Sequence, residues 1–99
     1  MYVVREVLTC KPGKVRGLTE KFRVMSSVLE GLGERPLRLL TDVGGEPFWT
    51  LVAEASVERI DDFFELERAL MADDRVRGAM ADYHELVVGG RREILRVEG

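Results

Sequence analysis

Phe48-Trp49-Thr50-Leu51-Val52-Ala53-Glu54-Ala55 decides the fold. The stretch is short, rich in β-branched and aromatic residues and bounded by glycine and proline, so it reads as a strand. Trp49, Leu51, Ala53 and Ala55 share one face, and Phe48, Thr50, Val52 and Glu54 share the other. The first face is wholly apolar and the second is mixed. A strand with apolar residues on both sides needs cover on both sides. The apolar face is expected to meet helices, whose close approach the alanines permit. The mixed face is expected to line a space shared with a second copy of the chain.

Working outward, Asp42-Val43-Gly44-Gly45-Glu46-Pro47 supplies a hairpin loop back to a strand over Leu37–Thr41. Upstream of that strand, Val15, Leu18, Phe22, Met25, Leu29 and Leu32 recur at spacings of three and four, which predicts a helix with one apolar stripe. Val24 and Val28 widen the stripe. The repeat is too short for a stable coiled coil, so the helix is expected to lie on the sheet. Gly31, Gly33 and Pro36 end it. Lys11-Pro12-Gly13-Lys14 separates it from a first strand over Tyr2–Thr9.

Downstream, Ser56 is the expected N-cap of a second helix, with Glu58, Asp61 and Asp62 at its positive end. Ile60, Phe63, Phe64, Leu66, Leu70 and Met71 are its apolar set. Asp73-Asp74 interrupts the pattern before Val76, Met80, Tyr83 and His84 resume it, predicting a kink or a short extra helix capped by an aspartate. Gly89-Gly90 is expected to close this segment, and a last strand to run over Arg91–Val97. The order is strand, helix, strand, strand, helix, strand: an α+β, ferredoxin-like βαββαβ domain over residues 1–99. Its four-stranded antiparallel sheet carries both helices on one face. Two helices cover only one face, so the other is expected to pair with a second copy, making the chain's first partner itself.

Composition narrows the function. With 99 residues, 45% hydrophobic and 33% charged, the chain fits one globular domain. Such a domain buries only about two-thirds of its unfolded surface, so self-association adds useful burial. A net charge of −3 argues against nucleic acid as a partner. No apolar run reaches the length needed to cross a bilayer, so no membrane association is expected. Met1-Tyr2-Val3-Val4-Arg5-Glu6 reads as a strand and not as a secretory leader, so a cytoplasmic location is expected. Charge is uneven: residues 1–40 hold eight Lys/Arg against four Asp/Glu, and residues 54–85 hold four Arg against ten Asp/Glu. The first helix should present a basic face and the second an acidic one, both read as solvated surfaces.

Cys10 is the single cysteine, which excludes an internal disulfide and multi-cysteine metal sites. It reads as a small residue filling a strand end; Lys11 and Lys14 would lower its pKa if it were a reactive thiol. Asn and Gln are absent, and Arg outnumbers Lys twelve to three. The missing thermolabile amides point mildly to a thermophilic source.

Val7-Leu8-Thr9-Cys10-Lys11-Pro12-Gly13-Lys14, Phe48-Trp49-Thr50-Leu51, Tyr83-His84-Glu85-Leu86-Val87 and Gly90-Arg91-Arg92-Glu93-Ile94 together resemble the dimeric α/β-barrel superfamily. Within it they are most similar to small NIPSNAP-like and antibiotic-monooxygenase-like domains. The resemblance spans nearly the whole chain and implies a fold far more sharply than an activity. It implies, for some relatives, cofactor-independent oxygenation or haem degradation at an Asn with a Trp, plus a His in the haem degraders. This sequence offers one Trp, Trp49, one His, His84, and no amide side chain, so that motif does not carry over.

Two functional readings follow. The first is a non-catalytic binding or structural barrel for a small apolar or aromatic molecule, with no cofactor. The second is a monooxygenase-like or haem-binding enzyme, for which the candidates are His84, Trp49 and Glu54. Against that second reading stand ordinary roles: His84 as a helix-end residue bonded to a carbonyl, Trp49 as core. A single histidine excludes a two-histidine metal site, and no metal is expected. Arg5, Glu6, Arg38, Thr50, Glu54 and Glu93 are polar residues on strands that need cover. Burying a lone charge is costly, so they are expected either to pair across the sheet or the interface, or to line a ligand cavity, with Arg5, Arg38, Thr50 and Glu93 the candidates.

Overall fold

A computed structural model describes residues 1–45 and 47–99; Glu46, within the expected hairpin loop, lies outside the described residues. The strands are β1 (Tyr2–Cys10), β2 (Arg38–Thr41), β3 (Thr50–Val57) and β4 (Val87–Arg96). The helices are α1 (Val15–Gly31), α2 (Ile60–Ala72) and α3 (Asp74–Met80), with a 3₁₀ turn at Tyr83–Glu85. The strands form one antiparallel sheet in the order β2-β3-β1-β4, as the ferredoxin-like reading requires.

All three helices pack on one face. The core joins Leu18, Phe22, Met25, Val28 and Leu29 of α1 to Cys10, Leu51 and Ala53 of the sheet, and to Leu70 and Val76 of α2 and α3. In β3 the alternation falls as the sequence predicts: Leu51 and Ala53 are buried, whereas Thr50, Val52 and Glu54 are only half-buried. Helix α1 stops in a Schellman turn. Gly33, at φ +80, donates to Glu30 O at 3.0 Å, and Glu34 donates to Leu29 O at 3.0 Å.

The expected second helix is two. Asp73 leaves helical geometry at ψ 129, and its side chain accepts from the amides of Arg75 and Val76, starting α3. Ser56, by contrast, does not cap α2: it belongs to β3, and Arg59 stands at the N-cap without a side-chain bond. The acids Asp61 and Asp62 in the first turn supply the favourable charge there instead. Phe64, from the expected apolar set of this helix, is 36% exposed, while Phe63 packs on it in a T-shape with centroids 5.5 Å apart.

Gly89 and Gly90 do not close a turn; they lie inside β4, which begins four residues before the expected start. A Cβ on Gly90 would stand 2.7 Å from Val7 O and 2.7 Å from Leu8 Cδ2. The residue is glycine because β1 passes too close for a side chain. Trp49 also departs from expectation. It precedes β3, has φ +64 and is 43% exposed. Left-handed geometry costs a bulky residue about 1–2 kcal/mol. It is held in place by Trp49 O accepting from Cys10 N at 2.8 Å and by Thr50 N donating to Asp42 Oδ1 at 2.7 Å.

Candidate functional site

The register of the sheet assembles one group of charged side chains on the face that the helices leave uncovered. Arg5 of β1 stands opposite Glu54 of β3 on one side and Glu93 of β4 on the other. Arg38 of β2 in turn stands opposite Glu54. A row of alternating sign, Arg38–Glu54–Arg5–Glu93, thus crosses all four strands. Arg5 Nε lies 2.9 Å from Glu54 Oε2, and Arg5 Nη1 lies 3.4 Å from Glu93 Oε1. Arg91 adds a contact from its Nε to Glu93 Oε2 at 2.9 Å. The Arg5 Nε proton is buried but points off the line to Glu54, so that contact is an ion pair without a hydrogen bond. Val3, Leu40, Val52 and Val7 flank the row. Thr50 stands at the end of this face, its hydroxyl donating to Pro47 O at 2.8 Å.

A second charged group sits on the opposite face, under the helices. Glu6 of β1 pairs in register with Arg92 of β4, and both point towards α2. Arg92 Nε donates to Glu6 Oε1, and Arg92 Nη2 donates to Glu67 Oε2 of α2. The guanidinium also lies over the Phe63 ring, 4.9 Å from its centroid. Burial works against the Arg92 charge, but its hydrogen bonds to Glu67 and Glu6 outweigh that and hold the guanidinium above its ordinary range. These three side chains border a cavity of about 270 Å³ between sheet and helices. Phe22, Met25, Leu29, Ala53, Leu66 and Leu70 form much of its wall.

Glu6 is legible in the sequence as a polar residue on a covered strand, but Arg92 and Glu67 are not singled out there. The available signal is spacing: Glu67 is four residues after Phe63 and three before Leu70, a carboxylate inside the apolar stripe of α2. The candidates for catalysis do not converge. Glu54 faces away from the helices, and Trp49 borders a separate groove of about 660 Å³ beside Arg16 and Arg23 of α1. His84 is exposed in the 3₁₀ turn, edge-on to Tyr83 at 6.4 Å, and does not line the cavity.

Cys10 is buried at the end of β1. Burial first, and the Asp42 charge second, push its thiol pKa up, so the lowering expected from Lys11 and Lys14 does not occur. Among the described residues, no three His, Cys, Asp or Glu side chains gather closely enough to hold a metal ion. Among the same residues, no helix is long and apolar enough to cross a membrane.

No family model and no curated protein matches the sequence. Solved structures do match the fold. A NIPSNAP family protein with unknown function from Agrobacterium tumefaciens is 20% identical, with a TM-score of 0.79 over 98% of this chain and 87% of that one. An uncharacterized NIPSNAP-like domain protein from Burkholderia xenovorans is 19% identical, with a TM-score of 0.75 over 99% and 85%. A protein from Nitrosomonas europaea, provisionally assigned as an antibiotic biosynthesis monooxygenase, is 12% identical, with a TM-score of 0.76 over the whole of both chains. At these identities the likeness establishes the fold: the ferredoxin-like architecture shared by NIPSNAP and antibiotic-monooxygenase-type small domains.

Proposed function

We propose that this protein is a cytoplasmic, non-catalytic homodimer that binds one small apolar or aromatic molecule per subunit in the cavity between sheet and helices. The observation that carries the reading is the cavity itself. It is about 270 Å³, nearly twice the volume that accommodates benzene in a protein core, and its wall is mostly apolar. A few placed polar groups in an apolar pocket are the usual make-up of a small-molecule site.

Dimerisation is supported by the uncovered sheet face. It combines half-buried aliphatic residues such as Val3, Leu40 and Val52 with central charges, Arg5, Glu54 and Glu93, that already pair with one another, while Arg38 stands exposed on the edge strand. Leu95, on the same face, is 48% exposed. A second copy would remove this surface from water at about 25 cal/mol per Å² of apolar area, with Arg5, Glu54 and Glu93 entering the interface already paired. Against catalysis stand the absence of any amide side chain and the scatter of Trp49, His84 and Glu54 over three regions.

Sedimentation velocity at micromolar concentration and native mass spectrometry test both halves. Twice the 11.2 kDa subunit mass, plus an organic adduct that is lost on denaturation, is the expected result. A monomer would overturn the dimer. A cavity that neither retains nor takes up small apolar molecules would overturn the binding role.

A further inference from the structure

The charge at the solvent side of the cavity sets what its ligand must carry. Glu6 and Glu67 converge on the single cation Arg92, which leaves one formal negative charge on the cluster. Arg92 engages Oε1 of Glu6 and Oε2 of Glu67, so each carboxylate keeps an oxygen that Arg92 does not use. The face of the guanidinium is taken by Phe63. All three side chains are about one-third exposed or less: 26% for Glu6, 35% for Glu67 and 35% for Arg92. Their charges therefore act at the edge of a low-dielectric space, where they are screened less than at the surface.

We propose, resting on the binding role above, that the cavity takes an apolar molecule bearing one protonated amine, with its hydrocarbon part among Phe22, Met25 and Leu66 and its ammonium at the carboxylate oxygens of Glu6 and Glu67 that Arg92 does not use. An ammonium brings three donors and no acceptor, which matches carboxylate oxygens with spare lone pairs. Tyr83 also lines this cavity, and Phe63 already stacks on a cation there, the Arg92 guanidinium. A ligand carboxylate would meet two like charges around one cation that is already paired, and like-charge contact selects strongly against it. The volume suits eight to ten carbons or one to two rings, scaled roughly from the benzene-sized cavity.

The test uses the full chain and three probes of equal length, n-octylamine, n-octanol and octanoate, titrated by calorimetry at neutral pH. Octylamine is expected to bind about tenfold or more tighter than octanol, the gain of a charge-assisted hydrogen bond, and octanoate more weakly than either. Glu67→Gln, close in shape but one charge poorer, should bring octylamine to within about threefold of octanol, the ratio of the two affinities within that variant being the readout. Glu6→Gln serves as an independent second variant should Glu67→Gln fail to fold. Raising the salt concentration should weaken octylamine and leave octanol unaffected. Octanol binding with octylamine no better, or octanoate binding best, overturns the amine assignment and leaves the cavity's binding role standing. Failure of all three probes to bind overturns both.

Discussion

Arg5 Nε lies 2.9 Å from Glu54 Oε2 across the central strand pair, on the face of the sheet that carries no helix. Glu93 approaches the same guanidinium from the opposite neighbour at 3.4 Å, so removing Arg5 leaves two carboxylates facing each other across one strand. Arg5→Ala is expected to destabilise the protein by about 1–2 kcal/mol in urea unfolding, because half-buried Glu54 loses its ion pair while Glu93 keeps only Arg91. Replacing Arg5, Glu54 and Glu93 together by Met or Leu should be neutral or stabilising. A triple variant less stable than Arg5→Ala would contradict this account.

Gly90 and Gly89 provide a matched pair of substitutions. A Cβ on Gly90 meets backbone oxygen of β1 at 2.7 Å, and backbone yields only by bending the strand. Gly90→Ala should therefore cost about 1–3 kcal/mol. Nothing lies within 4 Å of a Cβ on Gly89, and Gly89→Ala should fall within about 0.5 kcal/mol of the parent. Thermal melts of the two variants read the difference directly.

Asp73 Oδ1 accepts from Arg75 N at 2.8 Å and from Val76 N at 3.1 Å, and Val76 is fully buried. One side chain thus satisfies the start of α3 and fixes a core residue. Asp73→Ala should lose about 0.5–2 kcal/mol and Asp73→Asn much less, since the amide oxygen caps equally well. Urea midpoints for the two variants check the order.

The Cys10 thiol is held neutral by burial, with the Asp42 charge acting in the same direction. A raised thiol pKa keeps the reactive thiolate scarce up to a higher pH than in a free cysteine. Labelling by a disulfide reagent at pH 8 should be slow in the folded protein and fast in urea. Asp42→Asn should speed native labelling only modestly, because burial is the larger cause. Rapid labelling of the folded protein would show that the strand end opens.

Period-two and period-three-to-four patterns in the sequence determine the elements, because burial of a strand or a helix is set by which residues share its face. Leu51 with Ala53, and Leu18 with Phe22, Met25 and Leu29, fall on the core as those spacings require. The aspartate break after α2 is equally legible, since a short acceptor side chain that precedes free amides is a local signal. Local chemistry misleads where a distant strand decides. Gly90 reads as a turn until β1 is seen lying against it. Trp49 reads as core until its left-handed backbone, fixed by bonds to β1 and Asp42, turns it outward.

The polar residues on covered strands are countable in the sequence, but their partners are not. Arg5 finds Glu54 and Glu93, and Glu6 finds Arg92 and Glu67, only through strand register and helix docking, over separations as large as 88 residues. Residue type alone thus determined that charge must be paired somewhere in this sheet. Which charges meet, on which face, and with one carboxylate in excess beside the cavity, was decided by tertiary structure, because an ion pair depends on distances that chain order does not contain.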